Sequence, residues 1–342
     1  MFLRWYDKNS NESRAPPVQA AETGNEDDPT TPYDESITLK NGHRIGYAQY
    51  GKKGGTPIFY FHGFQGSRKE PLLFTTNEEL IEAGYELFAI ERSGMGLSTF
   101  FSYRLEEWPT IFEEIANLIL GPKNKFYVTS YSAGGAHAQL IAASDLFKDR
   151  LLSDPIVFSA PSPTIRFRDR LSYPLANHII LFVSKYSIWL PPFRWLLRVV
   201  VTHFFMKQIF NNWKGHFKNW IKKGEAPVDV AILDEPGTSE RMQVVRRSAY
   251  PNKKIDGVAQ DLQHLAVFRT MGRVIRVNGP EDTIVPIRVW YKWKEQTRDW
   301  PAMIVMLGEG HRFIHHYFLH ILNHVIKGKD LVLRSKELAL AA

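Results

Sequence analysis

The sequence has no cysteine, which excludes disulfides, cysteine nucleophiles and thiolate metal sites. No stretch stays apolar for ~18 residues, the length that a membrane-spanning helix requires. The opening residues, Met1-Phe2-Leu3-Arg4-Trp5-Tyr6-Asp7-Lys8, lack the apolar centre of a secretory signal, so a cytoplasmic location is the expectation. Concentrated charge is missing as well. The formal net charge is +7 over 342 residues, and the basic residues are dispersed, with some excess between Arg166 and Lys223. Nucleic-acid binding needs such residues gathered into a stripe, so no nucleic-acid partner is expected.

What is present is enough for a large core. Hydrophobic residues make up 44% of the chain, an ordinary globular share, and the length allows one large α/β domain with an insertion, or two domains. Residues 1–34 are polar, with Pro16-Pro17 and Glu26-Asp27-Asp28, and read as a disordered arm. Ser36–Leu39 and Arg44–Tyr50 read as strands, with Asn41-Gly42 between them as a hairpin signal. Pro57–Phe61, Glu86–Ile90, Phe126–Thr129, Pro155–Ala160, Val274–Val277 and Ala302–Leu307 read as buried strands. Helices are expected over Asn77–Ala83, closed by Gly84, over Leu105–Leu120, over Val289–Arg298 and over Phe313–Lys327. Alternating strand and helix implies a doubly wound, mostly parallel sheet with helices on both faces.

That rhythm breaks over residues 162–261. No strand is evident there, and aromatic, aliphatic and basic residues crowd together, as in Ile179–Val183 and Phe193–Leu197. An inserted helical cap over the mouth of the sheet is the expectation. Trp189, Arg194, Trp195 and Arg198 are also the types that suit peripheral membrane contact. The core is then 35–161 with 262–330, followed by a tail over 331–342.

One stretch carries chemistry. The strand Phe126–Thr129 runs into Ser130-Tyr131-Ser132-Ala133-Gly134-Gly135 and then into a small-residue helix over Ala136–Ala143. Strand, tight small-residue turn and helix is the setting of a nucleophile elbow, which lifts Ser132 above the sheet edge. The helix N-terminus turns its N–H groups toward an oxyanion formed beside that serine. A second turn, His62-Gly63-Phe64-Gln65-Gly66, can aim the N–H of Phe64 at the same point. A carboxylate loop, Asn278-Gly279-Pro280-Glu281-Asp282, and then Gly308-Glu309-Gly310-His311 follow later strands. In a parallel sheet these strand ends share one edge.

These motifs resemble the α/β-hydrolase fold superfamily, particularly its capped members with a serine nucleophile. The resemblance covers about residues 36–327 and includes the loop Arg92-Ser93-Gly94-Met95-Gly96. Two positions depart from the family pattern: Ser130 replaces a usual glycine, and Glu91-Arg92-Ser93-Gly94 replaces a usual Asp-Arg-Pro-Gly. The resemblance implies a Ser132, Asp282, His311 triad. Asp282 is preferred over Glu281 because its spacing from Gly279 and Pro286 fits. Ser132 would be the nucleophile, His311 the base and then acid, and Asp282 the partner of the imidazole. The N–H groups of Phe64 and Ala133 would hold the oxyanion. An esterase acting on a small apolar substrate is expected. The same triad is similar to that of cofactor-free lyases and C–C bond hydrolases, and a non-catalytic ligand-binding member is the third alternative.

Nothing in the sequence calls for a cofactor. His316, His320 and His324 share a helix face, but no carboxylate stands at ligand spacing beside them, so packing or solvated histidines are expected. His62 is expected to be a structural hydrogen-bonder, and the loop at Arg92 to be braced by ion pairs. The oligomeric state is not legible.

Overall fold

The computed structural model describes residues 33–160, 227–250, 256–268, 272–282, 303–305 and 309–328, with a few isolated positions between 184 and 196. Within these, eight strands form one sheet in the order β1-β2-β4-β3-β5-β6-β7-β8. They are β1 Tyr33–Thr38, β2 Arg44–Gly51, β3 Thr56–Phe61, β4 Tyr85–Ile90, β5 Tyr127–Tyr131, β6 Ile156–Phe158, β7 Ile275–Asn278 and β8 Met303–Val305. β1 and β2 pair antiparallel, as do β2 and β4. All the remaining pairs are parallel.

The helices are α1 Asn77–Ala83, α2 Trp108–Leu120, α3 Gly134–Ala143, α4 Pro227–Asp234, α5 Thr238–Ala249, α6 Asp256–Val267 and α7 Ile314–Lys327. Gly84 ends α1 in the left-handed conformation, as expected, and Thr76 and Glu79 form a capping box at its start. The expected helix over 105–120 is divided instead. Leu105–Glu107 is a 3₁₀ turn and α2 begins at Trp108. Pro109 lacks the N–H that would continue an α-ladder back to Leu105. The hairpin strand also starts earlier than expected, at Tyr33, because Asp34 is gripped by Arg68 at 2.7 Å. The elbow strand is shifted, since pairing with β3 begins at Tyr127 opposite Ile58.

Period-two alternation sorts β3 between two cores. Phe59 and Phe61 face a cluster with Trp108, Phe112 and Phe126 under α2 and α3. Ile58 and Tyr60 face the opposite cluster with Phe158 and Phe318 under α1 and α7. Both faces are covered, which is why β3 and β4 are almost continuously apolar. The edge between the two layers is where the parallel strands end, and there the loops converge.

The stretch 162–261 is described mainly through α4, α5 and the start of α6, and the expected boundary at 261 falls inside α6. The apolar run 179–183, most of the run 193–197 and the helix expected over 289–298 lie outside the described residues. Of the residues suited to membrane contact, Trp195 is described and is exposed. Among the described residues no helix is long and apolar enough to cross a membrane.

Candidate active site

β5 leads straight into the serine. Ser132 has φ +46°, a left-handed backbone that non-glycine residues adopt at a cost of about 1–3 kcal/mol. Its N–H donates to the carbonyl of Phe158 at 2.8 Å, tying the turn to the neighbouring strand. Two residues on, α3 crosses β3 so closely that a Cβ at Gly134 would sit 2.2 Å from the carbonyl oxygen of Phe61. Only glycine fits there. The position that departs from the usual family glycine, Ser130, is buried within β5, and its hydroxyl has no hydrogen-bond partner among the described residues. The turn forms regardless, because Ser130 precedes the close approach.

The loop after β3 is fixed from beneath. The Gly63 N–H donates to Oε2 of Glu70 at 2.7 Å, and the Tyr60 hydroxyl donates to the same oxygen at 2.5 Å. Arg92 donates to the carbonyls of His62 at 2.7 Å and Gly63 at 3.0 Å. The same guanidinium is paired with Asp261 at 2.5 Å. Arg92 thus holds the loop after β3 through hydrogen bonds, and its ion pair with Asp261 of α6 braces its own loop, Glu91–Ser98. Glu91 carries a different load: it pairs with Arg68 and accepts the Leu97 N–H.

His311 lies on the segment between β8 and α7, and Asp282 follows β7. The His311 Nδ1–H donates to Oδ2 of Asp282 at 2.9 Å, with both side chains buried. The carboxylate loop and the histidine loop pack backbone to backbone, with the Glu281 N–H donating to the Glu309 carbonyl at 3.1 Å. Burial alone would push the His311 imidazole down. The charge and hydrogen bond of Asp282, with Asp229 adding to them, outweigh it and hold the ring above its ordinary value.

Ser132 and His311 border one cavity of about 200 Å³, and Phe64 stands beside them. Ala133 is the N-cap residue of α3, where backbone N–H groups have no partner within the helix. Leu73, Met242 and Val245 supply apolar wall, and Glu70, Arg246 and Arg312 supply polar wall. Burial raises the Glu70 carboxyl. The hydrogen bonds from Tyr60 and Gly63 and the charges of Arg92 and Arg246 limit the rise, leaving it at about 7. His315, also on this cavity, is driven down to about 3 by burial and then by Arg312 and nearby positive groups. Sequence reasoning did not single out Glu70, Arg246, Arg312 or Met242. They come from a 3₁₀ turn, from α5 and from the residue after His311, and no local motif marks them.

Two histidines singled out in the sequence have structural partners. His62 is buried, contacts the Gly63 carbonyl through Nδ1, and is held well below its ordinary pKa by burial and by Arg92. His316 pairs with Glu235 at 2.8 Å. Among the described residues, the donors within ligand reach of one another are those of His137, Asp261 and His264, all within 4.8 Å. The Asp261 carboxylate is already committed to Arg92, whose charge would oppose any cation placed there.

No protein-family model matches the chain, and no curated protein matches it in sequence. Solved structures do match in shape. An esterase from Thermogutta terrifontis superposes with a TM-score of 0.58 at 16% identity, covering 86% of this chain and 97% of that one. The esterase RhEst1 from Rhodococcus sp. ECU1013 gives 0.56 at 14% identity, covering 86% and 98%. A bromoperoxidase from Bacillus anthracis gives 0.54 at 17% identity, covering 86% and 98%. Different chemistries share this architecture, so likeness at this level speaks to the fold. The chain has the α/β-hydrolase fold.

Proposed function

We propose that the protein is a serine hydrolase, an esterase that transfers the acyl group of its substrate to Ser132 and then to water. The observation that carries this reading is the hydrogen bond from His311 to Asp282 at 2.9 Å, made by a histidine that borders the same cavity as the strained Ser132. With Nδ1 occupied by Asp282, Nε2 is the nitrogen left to take a proton. His311 removes the Ser132 hydroxyl proton as the oxygen attacks the ester carbonyl, and returns it to the departing alcohol. Asp282 fixes the tautomer and steadies the imidazolium. The N–H groups of Phe64 and Ala133 receive the oxyanion, each donor contributing about 3 kcal/mol. Water, activated by the same imidazole, then releases the acid. The esterases among the structural relatives support the same class.

The cavity is small and its walls include Leu73, Met242 and Val245, which favours a short apolar acyl or alcohol group. A fluorophosphonate probe tests the reading. Wild-type protein should be labelled and should hydrolyse short p-nitrophenyl esters, while folded Ser132→Ala should do neither. Equal labelling of the two proteins, or a folded wild type that neither labels nor turns over any ester, would sink it.

A further inference from the structure

His311 is held on both sides of its peptide unit, and by different parts of the chain. Its carbonyl accepts from the Tyr131 and Ser159 hydroxyls, both at 3.3 Å, and both donors lie at ends of sheet strands or just beyond. Its N–H is held by something else. Asp229, in the first turn of α4, accepts the His311 N–H at 2.8 Å through Oδ2 and the Arg312 N–H at 2.6 Å through Oδ1. Asp229 is fully buried. It comes from the insertion, 82 residues before His311.

The fit around that carboxylate is tight. A Cβ at Gly310 would fall 2.3 Å from Oδ2 of Asp229, so the residue before His311 must be glycine for the carboxylate to reach. Each of its oxygens accepts one backbone N–H, so the carboxylate grips two consecutive peptide units at once. It also stands as a second negative group near the imidazole, on the opposite side of the sequence from Asp282. Among the described residues, the other charged and titratable groups near that ring include Asp282, Arg312, His315 and Tyr131, whose ring centroid lies 5.2 Å from the imidazole.

We propose that Asp229 is a positioning residue for the base: the insertion grips the backbone of His311 and sets where its ring stands. This rests on the reading of His311 as the base. It adds that the insertion does more than cover the cavity, because it supplies one of the supports of the reacting group. Removing the Asp229 charge while keeping its shape should loosen the histidine without touching substrate. The loss therefore belongs in kcat and in the titration of His311, not in KM.

The test is Asp229→Asn, read in two ways. First, kcat for a p-nitrophenyl ester should fall about tenfold or more with KM little changed, since small misplacements of a reacting group are costly. Second, the His311 imidazole, followed by NMR and assigned by its absence in His311→Asn, should titrate at lower pH than in wild type. The titration does not depend on turnover, so it reports on Asp229 even if no ester is cleaved, and failure of the esterase reading shows separately as an unlabelled wild type. If Asp229→Asn does not fold, Gly310→Ala replaces it, because the added methyl displaces the same carboxylate. A folded variant of either kind with wild-type kcat and an unmoved His311 titration would overturn the proposal.

Discussion

Oε2 of Glu70 accepts the backbone N–H of Gly63 at 2.7 Å, one residue before the backbone donor proposed at Phe64. This bond holds the loop from below, and it does so with a carboxyl that burial pushes up to about 7. The unfolded carboxyl titrates near 4.5. Between those values the folded chain binds the extra proton, so stability is fullest below the unfolded value and falls as the pH rises toward about 7. The total loss is on the order of 3 kcal/mol. Glu70→Gln keeps an acceptor for Gly63 and Tyr60 but cannot ionise. It should match wild type near pH 5 and be more stable near pH 8.5, as measured by urea denaturation. A stability difference that does not change between the two pH values would refute the assignment.

Arg92 ties two distant pieces to its own loop: the His62-Gly63 turn, through both carbonyls, and Asp261 of α6. The pair is buried on both sides. Removing one member strands the other, at a cost of about 3–5 kcal/mol. Arg92→Ala should therefore lower the unfolding free energy, measured by urea denaturation, by that amount, and Asp261→Asn should do so by a similar amount. The double variant should cost less than the sum of the two, which a double-mutant cycle reads directly.

The hydrolysis rate should rise with pH as His311 loses its proton, because only the neutral imidazole accepts the Ser132 proton. The balance of burial against Asp282 and Asp229 places that rise above the ordinary imidazole value of 6.5. Asp282→Asn removes the larger support, leaving burial less opposed. The midpoint of kcat/KM against pH should shift downward, and kcat should fall on the order of 10³- to 10⁴-fold. A midpoint that stays in place would mean that another group controls the profile.

Local signals made much of this legible from sequence. Gly84 closes α1, alternation separates the two faces of β3, and the small residues around Ser132 mark the turn. Asp282 and His311 stand where motif and strand order place them, and the structure brings them within hydrogen-bonding distance. What was not legible depends on pairing across long separations. Asp229 looks like an ordinary acidic residue in the first turn of a helix, and only the close approach of Gly310 shows what it holds. Asp261 lies 169 residues from Arg92, and no periodicity connects them. Glu70 precedes a proline in a 3₁₀ turn, where neither pattern nor spacing indicates burial.

The two carboxylates that α4 and α6 send into the core have a mechanical consequence. Asp229 is fastened to the chain around His311, and Asp261 to the guanidinium under the Gly63 loop. Swinging α4 or α6 away as a rigid flap would strip partners from a buried anion at each anchor, a penalty of several kcal/mol apiece. α4 and α6 thus behave as scaffold, and under the proposed function a substrate reaches Ser132 with both anchors still closed.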